Sequence, residues 1–80
     1  MIYVSPMHVS LRSKRWPYRH HCYLIADSIE ELHSFACKIG LHKNWFQGNH
    51  YDLTFGMKAA ACPCGAKEIS NRELIKKLRQ

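Results

Sequence analysis

No uninterrupted apolar run in this sequence reaches the ~18 residues that a membrane-spanning helix requires. The chain goes straight into MIYV, without the basic start, long apolar stretch and small-residue cleavage site of a secretory signal, so a cytoplasmic location is expected. In that compartment its four cysteines are reduced thiols. Catalytic signatures are missing too. There is no G-x-S-x-G, no H-E-x-x-H and no phosphate-loop glycine pattern, and His8-Val9-Ser10 is a single copy of an element that certain phosphodiesterases need twice. A non-enzymatic protein is therefore expected. Cys62 and Cys64 are separated by one residue, whereas zinc-binding pairs place about two to four between the thiols. No second pair has ligand spacing, so neither a metal nor another cofactor is expected, and Cys22 and Cys37 read as small core residues. Internal repeats and low-complexity tracts are absent.

Acids are scarce as well. Twelve Lys and Arg face six Asp and Glu, a net charge of +6. No acid precedes Asp27, while Arg12, Lys14, Arg15 and Arg19 all do; the tail holds Arg72, Lys76, Lys77 and Arg79 against Glu73 alone. Such a field draws anionic partners: nucleic acid, nucleotides or an acidic protein surface. The length allows a single domain, residues 1–80, that buries only about 60–65% of its unfolded surface. A core that thin gains from a bound ligand or from self-association, and a homo-oligomer is expected.

Local patterns predict an α/β fold. Ile2–Val4 and the apolar run at 21–26 read as strands, and AKEI at 66–69 as a last one. Asp27 with Glu30 resembles a capping box, followed by Ile29, Leu32, Ala36 and Ile39 at helical spacing and Gly40 at the C-terminal cap; a helix over 28–39 is expected. Thr54 caps a second helix that stops near Pro63, and Ser70 or Asn71 caps a third with Leu74, Ile75 and Leu78 as its apolar side. Residues 5–18 read as loop. The expectation is a small single-layer sheet of about three short strands with about three helices.

The densest chemistry lies in HKNWFQGNHYDL, residues 42–53. A nucleotide site needs an aromatic face for the base, cations for phosphate, and amides or carboxylates for ring edges and hydroxyls. Trp45, Phe46 and Tyr51 offer faces, and His42, Lys43 and His50 offer donors. Asn44, Gln47, Asn49 and Asp52 offer edges, while Gly48 lets the backbone turn. The plainer reading makes the rings core anchors and the polar groups loop pins. Arg12, Arg15, Trp16 and Arg19 lie in a basic, aromatic-bearing loop that would contact phosphate if it closed over the cluster. His33, beside the buried helical stripe, would either donate to a ligand or tie its helix to the 42–53 segment.

ADSIEELHSFACKIGL, then NWFQGNHYDLT, an alanine-rich stretch, a GA turn and SNREL together resemble the domain of unknown function 4031 family of bacteria and phages. The resemblance spans nearly the whole chain. It departs from the family pattern in the long basic loop at 5–20 and in MKAAACPCGA, where relatives favour a more basic start and a leucine. It implies a small α/β domain and supplies no activity. The expected function is binding of a small anionic ligand of nucleotide type; a phage-encoded member, working in the host cytoplasm, would use that pocket to sequester a signalling nucleotide of antiviral defence. Three rivals stand beside it. One is a nucleic-acid binder using loop 12–21 and the C-terminal helix. Another is a phosphoesterase with His50 as base and Asp52 as its orienting partner. The last is a protein inhibitor with Trp16 and neighbouring arginines at its interface.

Overall fold

The computed structural model describes residues 1–9 and 18–79. Among these, five strands and three helices follow in the order β1 (Ile2–Val4), β2 (His8–Val9), β3 (His20–Ala26), α1 (Ile29–Lys38), β4 (Tyr51–Leu53), α2 (Phe55–Ala61), β5 (Lys67–Glu68) and α3 (Asn71–Leu78). Single 3₁₀ turns lie at Lys43–Trp45 and Cys62–Cys64. The α/β class and the three helices agree with expectation, but the sheet has five strands rather than about three. Both additional strands were hidden for a physical reason. β2 (HV) and β4 (YDL) sit among polar residues without a run of β formers, and each exists through pairing with β3.

β3 organises the sheet. It runs antiparallel to β1 (Val4↔Leu24), to β2 (His8↔His21) and to β4 (Tyr23↔Asp52), while β5 pairs parallel to β1 (Tyr3↔Lys67). Where β1 ends, fully buried Ser5 stands in for a ladder group: its Oγ accepts the Tyr23 N–H at 2.9 Å and donates to the Pro6 carbonyl at 3.0 Å.

Strand alternation then sorts side chains onto two faces. Val4, Cys22, Leu24, Tyr51 and Leu53 pack with Leu32, Phe35 and Ala36 of α1 and Ala61 of α2. On the reverse, Ile25 packs with Ile69 and with Leu74 of α3, flanked by Tyr3, Tyr23 and Leu78. Helices thus cover both faces, and the two apolar groups are separate.

The helix ends show how local chemistry fixes the frame. Ser28, one residue beyond the expected Asp27, caps α1 by accepting the Glu31 amide at 3.1 Å. At the other end Gly40 adopts φ 80°, and the amides of Gly40 and Leu41 close onto the carbonyls of Cys37 and Ala36. That is a Schellman motif, which turns the chain sharply into the 42–53 segment. Thr54 and Ser70 cap α2 and α3. Three expected core positions fall outside the core: Ile29, Ile75 and Cys37 are exposed, because each lies off the stripe its helix buries.

Candidate functional site

The segment HKNWFQGNHYDL does not form one surface. His42 accepts the Asn44 amide on its Nδ1 at 3.1 Å and starts the 3₁₀ turn. Phe46 and Tyr51 then bridge antiparallel, the Gln47 amide donates to the His50 carbonyl at 2.8 Å, and Gly48 at φ 83° makes the reversal. The segment is a hairpin ending in β4, and alternation along β4 divides its side chains. Tyr51 and Leu53 face α1; His50 and Asp52 lie on the reverse.

On the α1 side, His33, Cys37, Leu41, Lys43, Phe46 and Tyr51 line an open cavity of about 520 Å³. The size suits a small organic ligand, for which pockets run to ~300–1,000 Å³. His33 and Phe46 lie 4.7 Å apart between ring centroids, and Phe46 and Tyr51 5.2 Å. His33 Nδ1 and the Tyr51 hydroxyl are 2.7 Å apart, so His33 does tie α1 to the hairpin. Burial pushes the Tyr51 phenol above its ordinary pKa, which keeps its proton in place. The contact fixes the orientation of the His33 ring, which lines the cavity.

On the reverse face, His50 packs against Tyr23 with ring centroids 4.4 Å apart and the planes inclined by 56°. Its Nε2 lies 3.5 Å from Asp52 Oδ1, and its Nδ1 lies 2.7 Å from Asn49 Oδ1. His21 and His8 extend the row, at 5.2 Å and 5.7 Å from Tyr23. Burial pushes the His21 imidazole below its ordinary value, against the opposing pull of Asp52 and helped by the neighbouring His8 and His50.

Of the residues singled out from sequence, the first cavity gathers His33, Lys43 and Tyr51, while His50 and Asp52 belong to the second group. Trp45 is half-buried against the core, His42 and Gln47 are exposed parts of the turn and hairpin, and Arg19 is exposed. Arg12, Arg15 and Trp16 lie outside the described residues. Sequence reasoning offered Phe46 as an aromatic face but did not assign Cys37 or Leu41 to a ligand wall, and it did not group His8, His21 and Tyr23. The helical offset from His33 to Cys37 (i, i+4) could have indicated the first; only strand register reveals the second.

Cys22 is fully buried, with its thiol pushed up to about 12 by desolvation, and carries no reactivity. Among the described residues, no group of three or more His, Cys, Asp or Glu could hold a metal ion. No helix among them is long and apolar enough to cross a membrane.

Fold and cavity together define a small mixed α/β protein with a ring-lined cleft between helix and hairpin. Residues 2–80 match the family described as "Protein of unknown function (DUF4031)", and the chain belongs to that family. No curated protein and no solved structure matches it.

Proposed function

We propose that this protein binds a small anionic ligand carrying an aromatic ring, of nucleotide class, in the cavity between α1 and the hairpin, and releases it chemically unchanged. The observation that carries the reading is the cavity wall itself. It combines the Phe46 and Tyr51 rings, the Lys43 ammonium and the His33 imidazole around about 520 Å³. Rings offer a stacking face, Lys43 offers a mobile charge for phosphate, and the His33–Tyr51 pair offers an oriented polar group. The surplus of positive charge over the chain supports an anionic partner. Sequestration of a signalling nucleotide is the use such binding without turnover would serve.

A thermal-shift panel of mononucleotides, ADP-ribose compounds, cyclic dinucleotides and short oligonucleotides tests this. A ligand at 100 times its Kd adds about 2.7 kcal/mol, on the order of 10 °C in so small a domain. The expected result is one small ligand giving such a shift, recovered intact, with the shift lost in Lys43→Ala and Phe46→Ala. No response to any small molecule overturns the reading.

A second reading rests on α3, where Arg72, Lys76 and Arg79 are all exposed at helical spacing. Nucleic acid bound there would lose affinity steeply with salt, by a log–log slope of roughly −0.7 to −0.9 per phosphate contacted. A single nucleotide in the cleft would show a far shallower slope.

A further inference from the structure

The walls of the cleft bound both the size and the charge of what it can hold. Its volume is about 520 Å³, which at about 30 Å³ per molecule is the share of roughly 17 waters. Bonded atoms sit closer together than separate waters do, so a ligand of about two dozen heavy atoms fills it. A nucleoside carrying one phosphate is of that size. ADP-ribose and cyclic dinucleotides are larger by a factor of about one and a half to two. Ligand pockets cover ~70–90% of the surface of what they bind, and a dinucleotide here would leave a large part of itself in solvent.

Charge gives the second bound. Among the described residues that line the cavity, Lys43 is the one permanent cation and His33 the other basic group. Leu41, Phe46 and Cys37 make apolar wall, and no carboxylate is among these lining residues. A phosphate monoester carries about −1.5 to −2 at neutral pH, and a cyclic diester a single negative charge. One ammonium beside one imidazole matches one such group. A second or third phosphate would bring more negative charge against apolar wall, and charge taken out of water without a partner is costly. The two basic groups also differ in freedom. His33 is held by its 2.7 Å contact with the Tyr51 hydroxyl, whereas Lys43 opens the 3₁₀ turn before the hairpin, exposed and on a flexible stem.

We infer that the cleft takes one nucleoside bearing a single phosphate group, as monoester or cyclic diester, and discriminates against di- and triphosphates and against dinucleotides. Lys43 neutralises the phosphate, His33 gives it a fixed polar neighbour, and Phe46 with Leu41 covers the base. The inference rests on the reading of the cleft as a nucleotide site and adds which size and charge of nucleotide it accepts. Cys37 supplies a local reporter: it is exposed and lines the cavity, whereas Cys62 and Cys64 are exposed without lining it and Cys22 is buried. An occupant of the cleft therefore shields Cys37 from an alkylating reagent and leaves Cys62 and Cys64 reacting as before.

The test uses the full chain with its thiols reduced. Calorimetry measures binding of adenosine, guanosine, cytidine and uridine, of their 5′-mono-, di- and triphosphates and 3′,5′-cyclic monophosphates, and of ADP-ribose and a cyclic dinucleotide. Mass spectrometry then follows iodoacetamide labelling of each cysteine with every ligand that binds. The expected result is a 5′-monophosphate or cyclic monophosphate of one base that binds at least about tenfold tighter than its nucleoside, its di- and triphosphates and the larger compounds. That ligand slows Cys37 labelling several-fold and leaves Cys62 and Cys64 unchanged. Comparing the two monophosphate forms shows which kind of phosphate the cleft prefers. Lys43→Ala, at an exposed position, brings the monophosphate to the affinity of the nucleoside. A di- or triphosphate, ADP-ribose or cyclic dinucleotide that binds equally well and protects Cys37 overturns the inference while leaving the cleft a nucleotide site. Binding by none of them, or binding that leaves Cys37 unprotected, overturns the reading of the cleft and the inference with it. The ligand comparison is made on the unsubstituted protein, so a misfolded variant does not decide the matter.

Discussion

Replacing Ser5 by alanine tests whether the sheet depends on a side chain acting as backbone. Ser5 is fully buried at the end of β1, and its hydroxyl accepts the Tyr23 amide at 2.9 Å while donating to the Pro6 carbonyl at 3.0 Å. The remaining ladder bond, Ser5 N–H to the Tyr23 carbonyl at 3.0 Å, involves only backbone and survives the substitution. Ser5→Ala therefore strands one buried donor and one acceptor. Leaving a buried group unsatisfied costs about 1–3 kcal/mol, against a typical ~1 kcal/mol for a hydrogen bond lost with both partners resolvated. Each kcal/mol lowers the midpoint of an 80-residue domain by about 4–8 °C, so a fall on the order of 10 °C is expected. Thermal denaturation gives the magnitude, and native-state hydrogen exchange gives the place. The Tyr23 amide must lose protection beyond that explained by the global change, while Leu24 and Ile25 follow global stability alone. Ser34→Ala, on the exposed side of α1, is the control: it removes a hydroxyl too and should be neutral or slightly stabilising. A Ser5→Ala protein with unchanged midpoint and unchanged Tyr23 protection would refute the reasoning, because the hydroxyl would then carry none of the ladder.

Gly40→Ala should cost about 1–2 kcal/mol purely through backbone torsion, since φ is 80° and an added Cβ meets nothing within 4 Å; urea denaturation reads the change. Tyr51→Phe and His33→Ala, measured singly and together, should show a coupling of about 0.5–1.5 kcal/mol for their 2.7 Å contact, with additivity the disproving outcome. Stability should fall as pH drops below 6.5 through the folded value of His21, because burial holds that imidazole below its unfolded pKa and folding then opposes protonation. Midpoints measured across that range should flatten in His21→Gln.

The three helices were legible because each carries its own punctuation. Ser28, Thr54 and Ser70 cap them, and Gly40 ends the first through a left-handed turn that only its position after the apolar stripe announces. β1 and β3 were legible as runs of β-forming residues. β2 and β4 were not, because HV and YDL sit among polar residues without a run of β formers, and each is defined as a strand by pairing with β3. The same reason explains what could be read of the candidate sites. The polar, ring-rich character of residues 42–53 is a property of composition and stood out in the sequence. Its division between two faces is a property of register. His8 and His21 are far apart in the chain and meet only because both pair across β2 and β3.

That division makes the hairpin the point on which both faces depend. Phe46 bridges Tyr51, the Gln47 amide holds the His50 carbonyl at 2.8 Å, and Gly48 turns at φ 83°. Because side chains alternate with a period of two, a slip of one residue would send Tyr51 to the histidine face and Asp52 into the core. Burying an unpaired carboxylate there would cost several kcal/mol, so register is strongly specified from within β4. Gly48→Ala should therefore strain the turn, by about 1–2 kcal/mol with no clash for the added methyl, without moving the strand. Proton–proton contacts between Phe46 and Tyr51 and between Tyr23 and His50 report the two faces separately. They should both persist in Gly48→Ala, since the register is held from within β4. Loss of either set would mean that the turn, and not the alternation within β4, sets the register.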